Sequence, residues 1–124
     1  MADTLGPTVP INNKLDHLPT VTDADGSWVV GLTDGEGCFY LQARRRRLER
    51  HPDKLYRGVA FTFKIALRAD DLEALIKVRD IMGVGSISPP MRRRDPNQNP
   101  LRIYRVCQRD DIVAVARFFR RFPL

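Results

Sequence analysis

The stretch Trp28-Val29-Val30-Gly31-Leu32-Thr33-Asp34-Gly35-Glu36-Gly37 constrains this chain more than any other. Its first half is almost wholly apolar. Asp23 or Asp25, just ahead of it, can cap a helix by accepting hydrogen bonds from free amides. A helix that is apolar all round is expected to be buried on all sides. It must also stop, and Gly35 or Gly37 permits the left-handed backbone of a helix stop. Gly31 removes a side chain in mid-helix at a cost of about 1 kcal/mol relative to alanine. A second backbone packed against it best explains that cost. Asp34 and Glu36 fall at the negative end of the helix dipole, where carboxylates are unfavourable. Two readings stay open. A hard divalent cation, held by carboxylates, carbonyls and water, offsets the charge; or Asp34 bonds the turn and Glu36 is simply solvated.

The flanking segments fix the rest of the fold. Residues 1–22 hold Pro7, Pro10, Pro19, Gly6 and few large apolar groups, and read as a loosely held arm. Residues 23–124 read as one domain. CFYLQARRRR (38–47) places Tyr40, Gln42, Arg44 and Arg46 on one parity and Phe39, Leu41 and Ala43 on the other, a strand with one basic face. HPDK (51–54) reads as a turn, with His51 in a solvated loop. Residues 55–68 alternate again, with Val59, Phe61, Phe63, Ile65 and Leu67 opposite Gly58, Ala60, Thr62 and Lys64. The period then changes to helical, with Leu72, Leu75, Ile76 and Met82 on one stripe, Asp70 and Glu73 as a capping-box start, and Gly83 as the stop. Ser86–Ser88 is a short strand, 89–100 a proline-rich loop, 101–108 the last strand. Residues 109–122 form a final helix striped by Ile112, Val115, Phe118, Phe119 and Phe122. The order α-β-β-α-β-β-α predicts one α+β domain with four antiparallel strands and helices on one face.

Charge narrows the function. Residues 1–37 carry one cation (Lys14) against six anions, whereas residues 38–124 carry twenty cations against nine. So uneven a basic block attracts polyanions, nucleic acid above all; a basic surface kept for solubility is the alternative. Cys38 and Cys107 are not at metal-ligand spacing and read as reduced thiols in strands. His17 and His51 have no ligand-spaced neighbours. No apolar run reaches the roughly 18 residues of a membrane span. The N-terminus has neither a signal-peptide nor a transit-peptide pattern, so secretion and membrane insertion are not expected and the chain reads as intracellular.

WVVGLTDGEGCF resembles the motif of the LAGLIDADG homing endonucleases. The resemblance runs from about Asp23 to Leu124 through FTFKIALRADDLEALIKVRDIMGVGSI and YRVCQRDDIVAVARFFRRFPL. It implies the same α-β-β-α-β-β-α half-domain and a site-specific endonuclease that cleaves a long DNA duplex with Mg²⁺ or Mn²⁺. Glu36 matches the family's catalytic, acidic metal ligand, and the carbonyl of Gly35 would be a further ligand. Asp34 matches a more structural acidic position, and Gly31 the close-contact point between two motif helices. Val30 stands where the family commonly has alanine. The family's sheet straddles DNA, and the matching outward positions are Tyr40, Gln42, Arg44, Arg46, Thr62, Lys64 and Arg105. Arg92, Arg93 and Arg94 fall in a loop as phosphate contacts. One motif implies a homodimer or a separate second half. In the family, the Pro-Leu ending leads into a further segment with a basic residue near the active site, so the chain reads as cut short, with some core uncovered. A bacterial or phage cytoplasm fits this reading better than an organelle. The alternatives are a non-cleaving DNA- or RNA-binding relative of maturase type, or an inactive fragment.

Overall fold

The structure is a computed structural model that describes residues 20–48 and 51–124, with side chains described outside 44–57. Of the expected arm, residues 1–19, His17 included, lie outside the described residues.

Helix α1 spans Asp23–Glu36. Thr22 caps it, its Oγ1 accepting from the Asp25 amide at 3.1 Å. Neither expected aspartate is the cap; both sit in the first turn, where their charge suits the dipole. The helix end also differs from expectation. Gly35 is helical, and Gly37 caps with φ −77° and ψ 152°, extended rather than left-handed, its N–H donating to the Thr33 carbonyl. No reversal is needed because Gly37 is already the first residue of the next strand. The expected burial on all sides is likewise corrected. Only Gly26, Val29 and Thr33 are buried; Trp28, Val30 and Leu32 pack partly against the core, and Ser27 and Gly31 face outward.

Strands β1 (Gly37–Leu48) and β2 (His51–Arg68) form an antiparallel hairpin. The expected turn at 51–54 lies within β2. His51 pairs with Leu48 and Leu55 with Arg47, so 52–54 are extra residues in a bulge. Backbone pairing tolerates a bulge at a sheet edge, and proline is accommodated there. Strands β3 (Ser86–Ile87) and β4 (Leu101–Val106) complete a sheet of order β1-β2-β4-β3. The registers Phe39↔Phe63 and Ile65↔Tyr104 put the alternating apolar residues of three strands on one side.

A 3₁₀ turn (Ala69–Asp71) leads into α2 (Leu72–Met82). The expected capping box is not formed. The Asp70 carboxylate is taken instead by the Arg68 guanidinium at 2.8 and 3.1 Å, and the residue at the cap, Asp71, makes no side-chain cap bond. The stop at Gly83 is left-handed as expected, with φ 73°. Val78, outside the expected stripe, is fully buried. Helix α3 (Arg109–Arg121) follows β4 directly.

The helices pack on one face of the sheet around Val29, Phe63, Ile65, Leu75, Val78, Tyr104, Val106, Val115 and Phe118. Burying each such side chain contributes about 1.5–3 kcal/mol. Two close approaches fix the layers. A Cβ on Gly26 would lie 2.4 Å from the Phe122 ring, so α3 meets α1 only at a glycine. The buried Tyr104 hydroxyl donates to the Val84 carbonyl at 2.7 Å, tying β4 to the α2–β3 loop. The hairpin runs out past the helices, leaving Leu41 (68%) and Val59 (72%) exposed on the apolar side.

Candidate functional site

Helix α1 passes into β1 with no intervening loop, so Glu36 closes the helix one residue before the sheet begins. The direct junction ties Glu36 and the sheet face opposite the helices into one region. On that face, Cys38, Lys64, Arg105 and Ser86 form a row across all four strands. Tyr40 pairs with Thr62, and Gln42 with Ala60. Arg44 and Arg46 share this parity, paired with Gly58 and Tyr56; their side chains lie outside the described residues.

The expected outward residues are thus brought to one face, with one exception. Thr62 is only 3% exposed. It is short and sits on an inner strand between Tyr40 across the ladder and Lys64 two residues on. The Lys64 ammonium lies 5.4 Å from the Tyr40 ring centroid, a cation–π contact that holds both side chains over that part of the sheet. Gln42 and Arg105 are exposed. Arg92 and Arg94 are exposed in the β3–β4 loop, while Arg93 is half-buried and donates from Nη1 to Gln98 Oε1 at 3.4 Å. Cys38 and Cys107 are free thiols, both exposed; Cys107 lies just past the end of β4.

Along α1, Ala24, Ser27, Gly31, Asp34 and Gly35 form one exposed stripe. Among the described residues, a Cβ at Gly31 or at Gly35 would meet no heavy atom of a neighbouring element within 4 Å. The close packing expected at Gly31 is therefore not made by the described residues, and towards them that surface is open. Asp34 and Glu36 are exposed, and no group of three His, Cys, Asp or Glu able to hold a metal occurs among the described residues. The chain offers one or two carboxylates and the last carbonyls of α1, which have no partner inside the helix. That donor set matches a small hard cation that keeps its waters and shares phosphate oxygens. It does not match a cage closed by protein alone.

Sequence reading missed several residues of this face. Ala66, Ile103 and Leu101 continue it beyond the basic row, with Met91 paired to Leu101. The parity of Leu101 and Ile103 with Arg105 was the available signal. Asp111 is buried near Tyr104, and together with burial of the phenol its negative charge pushes the Tyr104 pKa well above the ordinary tyrosine value.

Comparison with known proteins agrees with this arrangement. A family profile, LAGLIDADG endonuclease, matches residues 29–124. A probable intron-encoded endonuclease, Cox1-I1b of Schizosaccharomyces pombe, is 27% identical over 97 residues, which is 78% of this chain and 22% of that protein. The crystal structure of the homing endonuclease I-TnaI superposes with a TM-score of 0.62 at 29% identity, over 80% of this chain and 60% of that one. The LAGLIDADG homing endonuclease I-GzeII, solved in complex with its DNA target, gives 0.62 at 26% identity, over 80% and 29%. The chain therefore spans less than two thirds of each of these relatives.

Proposed function

The chain belongs to the LAGLIDADG endonuclease family, and on that premise we propose that it is one subunit of a homing-type DNA endonuclease. It hydrolyses phosphodiester bonds in a long duplex target. One observation carries the reading: the exposed Glu36 closes α1 where the chain enters the basic sheet face.

The work divides among the residues of that face. Gln42, Arg44, Arg46 and Arg105 have the donors and acceptors to pair with base edges in the major groove. Tyr40 holds Lys64 in place, and Lys64, Arg92 and Arg94 neutralise phosphates, which sets position rather than sequence. Thr62, buried beside Tyr40 on the neighbouring strand, offers the duplex little surface of its own. Glu36 and the Gly35 carbonyl would hold a Mg²⁺ or Mn²⁺ ion, with Asp34 shaping the helix end. When bound, such an ion activates water and stabilises the charge that builds on a phosphodiester under attack. Each subunit supplies a single Glu36, so two strands need a second copy of this chain or a separate second half. The stripe of Ala24, Ser27, Gly31 and Gly35 allows two backbones to approach closely and is the surface for that partner.

The test is Glu36→Gln, which keeps the size of the side chain and removes its charge. The variant loses cleavage and keeps duplex affinity; cleavage at the wild-type rate overturns the assignment. A second reading is a non-cleaving binding module, for which the basic row of Lys64 and Arg105 on the sheet face suffices without a metal. A plasmid-nicking assay separates the two. Metal-dependent nicking supports the enzyme, whereas binding with no nicking at any metal concentration supports the module.

A further inference from the structure

The sheet face opposite the helices is not uniformly polar. Beyond the row of Lys64 and Arg105, Ala66 pairs with Ile103 and Arg68 with Leu101. Met91 is bonded to Leu101 through both backbone groups, at 2.7 and 2.9 Å, so their side chains share a side. Ala66, Leu101, Ile103 and Met91 thus form one contiguous apolar patch. None of them packs against the hydrophobic core, which lies on the other side of the sheet, and Met91 is 47% exposed. Isolated apolar residues on a surface are ordinary. Four together, beside the basic row of Lys64 and Arg105 and with Arg92 and Arg94 exposed in the loop that follows Met91, suit an occupant that is anionic outside and apolar at one point within.

We propose that this patch reads the C5-methyl groups of thymines in the major groove of the bound duplex, which makes Ile103, Leu101 and Met91 specificity-determining residues. The inference rests on the DNA-binding reading given above and goes beyond it by naming the base. Thymine is the base that presents a methyl group in the major groove, and apolar side chains are its complement. Lys64, Arg92 and Arg94 meet the flanking phosphates. The scale fits: three neighbouring strands cover about 10 Å and two residues along a strand about 7 Å, the reach of two or three base-pair steps of about 3.4 Å. The patch also has a fixed place in the site. Ala66 lies one residue past Ile65, the partner of Gly37 at the very start of β1, and Glu36 precedes Gly37. The thymine preference therefore falls in the base pairs near the cut, not at the outer ends under Arg44 and Arg46.

The experiment starts from the full chain and a library of random-sequence duplexes, selected for binding without divalent metal. Each thymine of the recovered site is then replaced singly by deoxyuridine, which removes only the methyl group. One or two thymines near the centre of the site lose about fourfold in affinity when replaced, the value of burying one methyl-sized group. Ile103→Ala and Met91→Ala make those replacements silent while other positions keep their effects. Unchanged affinity at every replaced thymine refutes the proposal using the wild-type protein alone. So does a methyl effect that persists in both variants, or salt-sensitive duplex binding with no enriched sequence. Failure to bind any duplex at low salt overturns the DNA-binding reading itself, and is distinct from these outcomes.

Discussion

Gly31→Ala separates the stability of the chain from its assembly. Among the described residues of one chain the substitution meets nothing: a Cβ there has no heavy atom of a neighbouring element within 4 Å, and the residue sits in the regular part of α1. Alanine is favoured over glycine in an exposed helix by about 1 kcal/mol, through helix propensity and a less flexible unfolded chain. For a domain of this size that raises Tm by about 4 °C. Between two chains the sign reverses. If two α1 helices meet at Gly31, each added methyl forces them apart and weakens every contact along the stripe. The assay is thermal unfolding over a hundredfold range of protein concentration, with sedimentation equilibrium at the same concentrations. Wild-type Tm rises with concentration, as linkage to self-association requires. The variant melts higher than wild type when dilute, shows no concentration dependence and sediments as a monomer. A variant that is destabilised when dilute refutes the open surface at Gly31. A variant that associates as tightly as wild type refutes α1 as the assembly surface.

Other expectations follow from the same contacts. Gly26→Ala has the opposite outcome to Gly31→Ala: its methyl would fall 2.4 Å from the Phe122 ring, so Phe122 is displaced and the lost burial of about 1.5–3 kcal/mol outweighs the helix gain, read as a lower Tm. Tyr104→Phe strands the Val84 carbonyl and costs about 1–3 kcal/mol in denaturant unfolding at neutral pH. Because burial and Asp111 raise the Tyr104 pKa in the folded state, the wild-type phenol contributes stability in full below about pH 10 and loses it as pH rises further; the Phe variant loses less over that alkaline range. Duplex affinity falls linearly on a log–log plot against salt, and Arg92→Gln lowers the slope by about one unit. An unchanged slope removes Arg92 from the phosphate-neutralising surface.

The strands and their faces were legible in the sequence because period-two alternation fixes which side chains share a side. The pairing Phe39↔Phe63 is what two such patterns give when joined in register. Gly83 was legible as a helix stop because its left-handed backbone is one glycine adopts at no cost. The caps were not. Thr22, Asp23 and Asp25 can each accept from a free amide, and only the path of the chain into α1 selects Thr22. Asp70 was a credible box residue until β2 placed Arg68 beside it. Within the candidate site, Glu36 was singled out by its type and its neighbours, whereas Thr62, a short side chain on an inner strand opposite Tyr40, is buried although its parity is outward.

Local patterns in the chain were enough to determine the element order, the two-faced sheet, the motif around Gly31 and Glu36, and the basic character of the surface. Each of these depends on residues close in sequence. Tertiary structure alone decided which side of α1 is buried, that Gly26 and not Gly31 is the glycine pressed by a neighbour, and that Leu101 and Ile103 join Ala66 and Met91 in one patch. Those outcomes depend on which distant surfaces meet. A helix with apolar residues on most of its circumference carries no record of which side its partners will take.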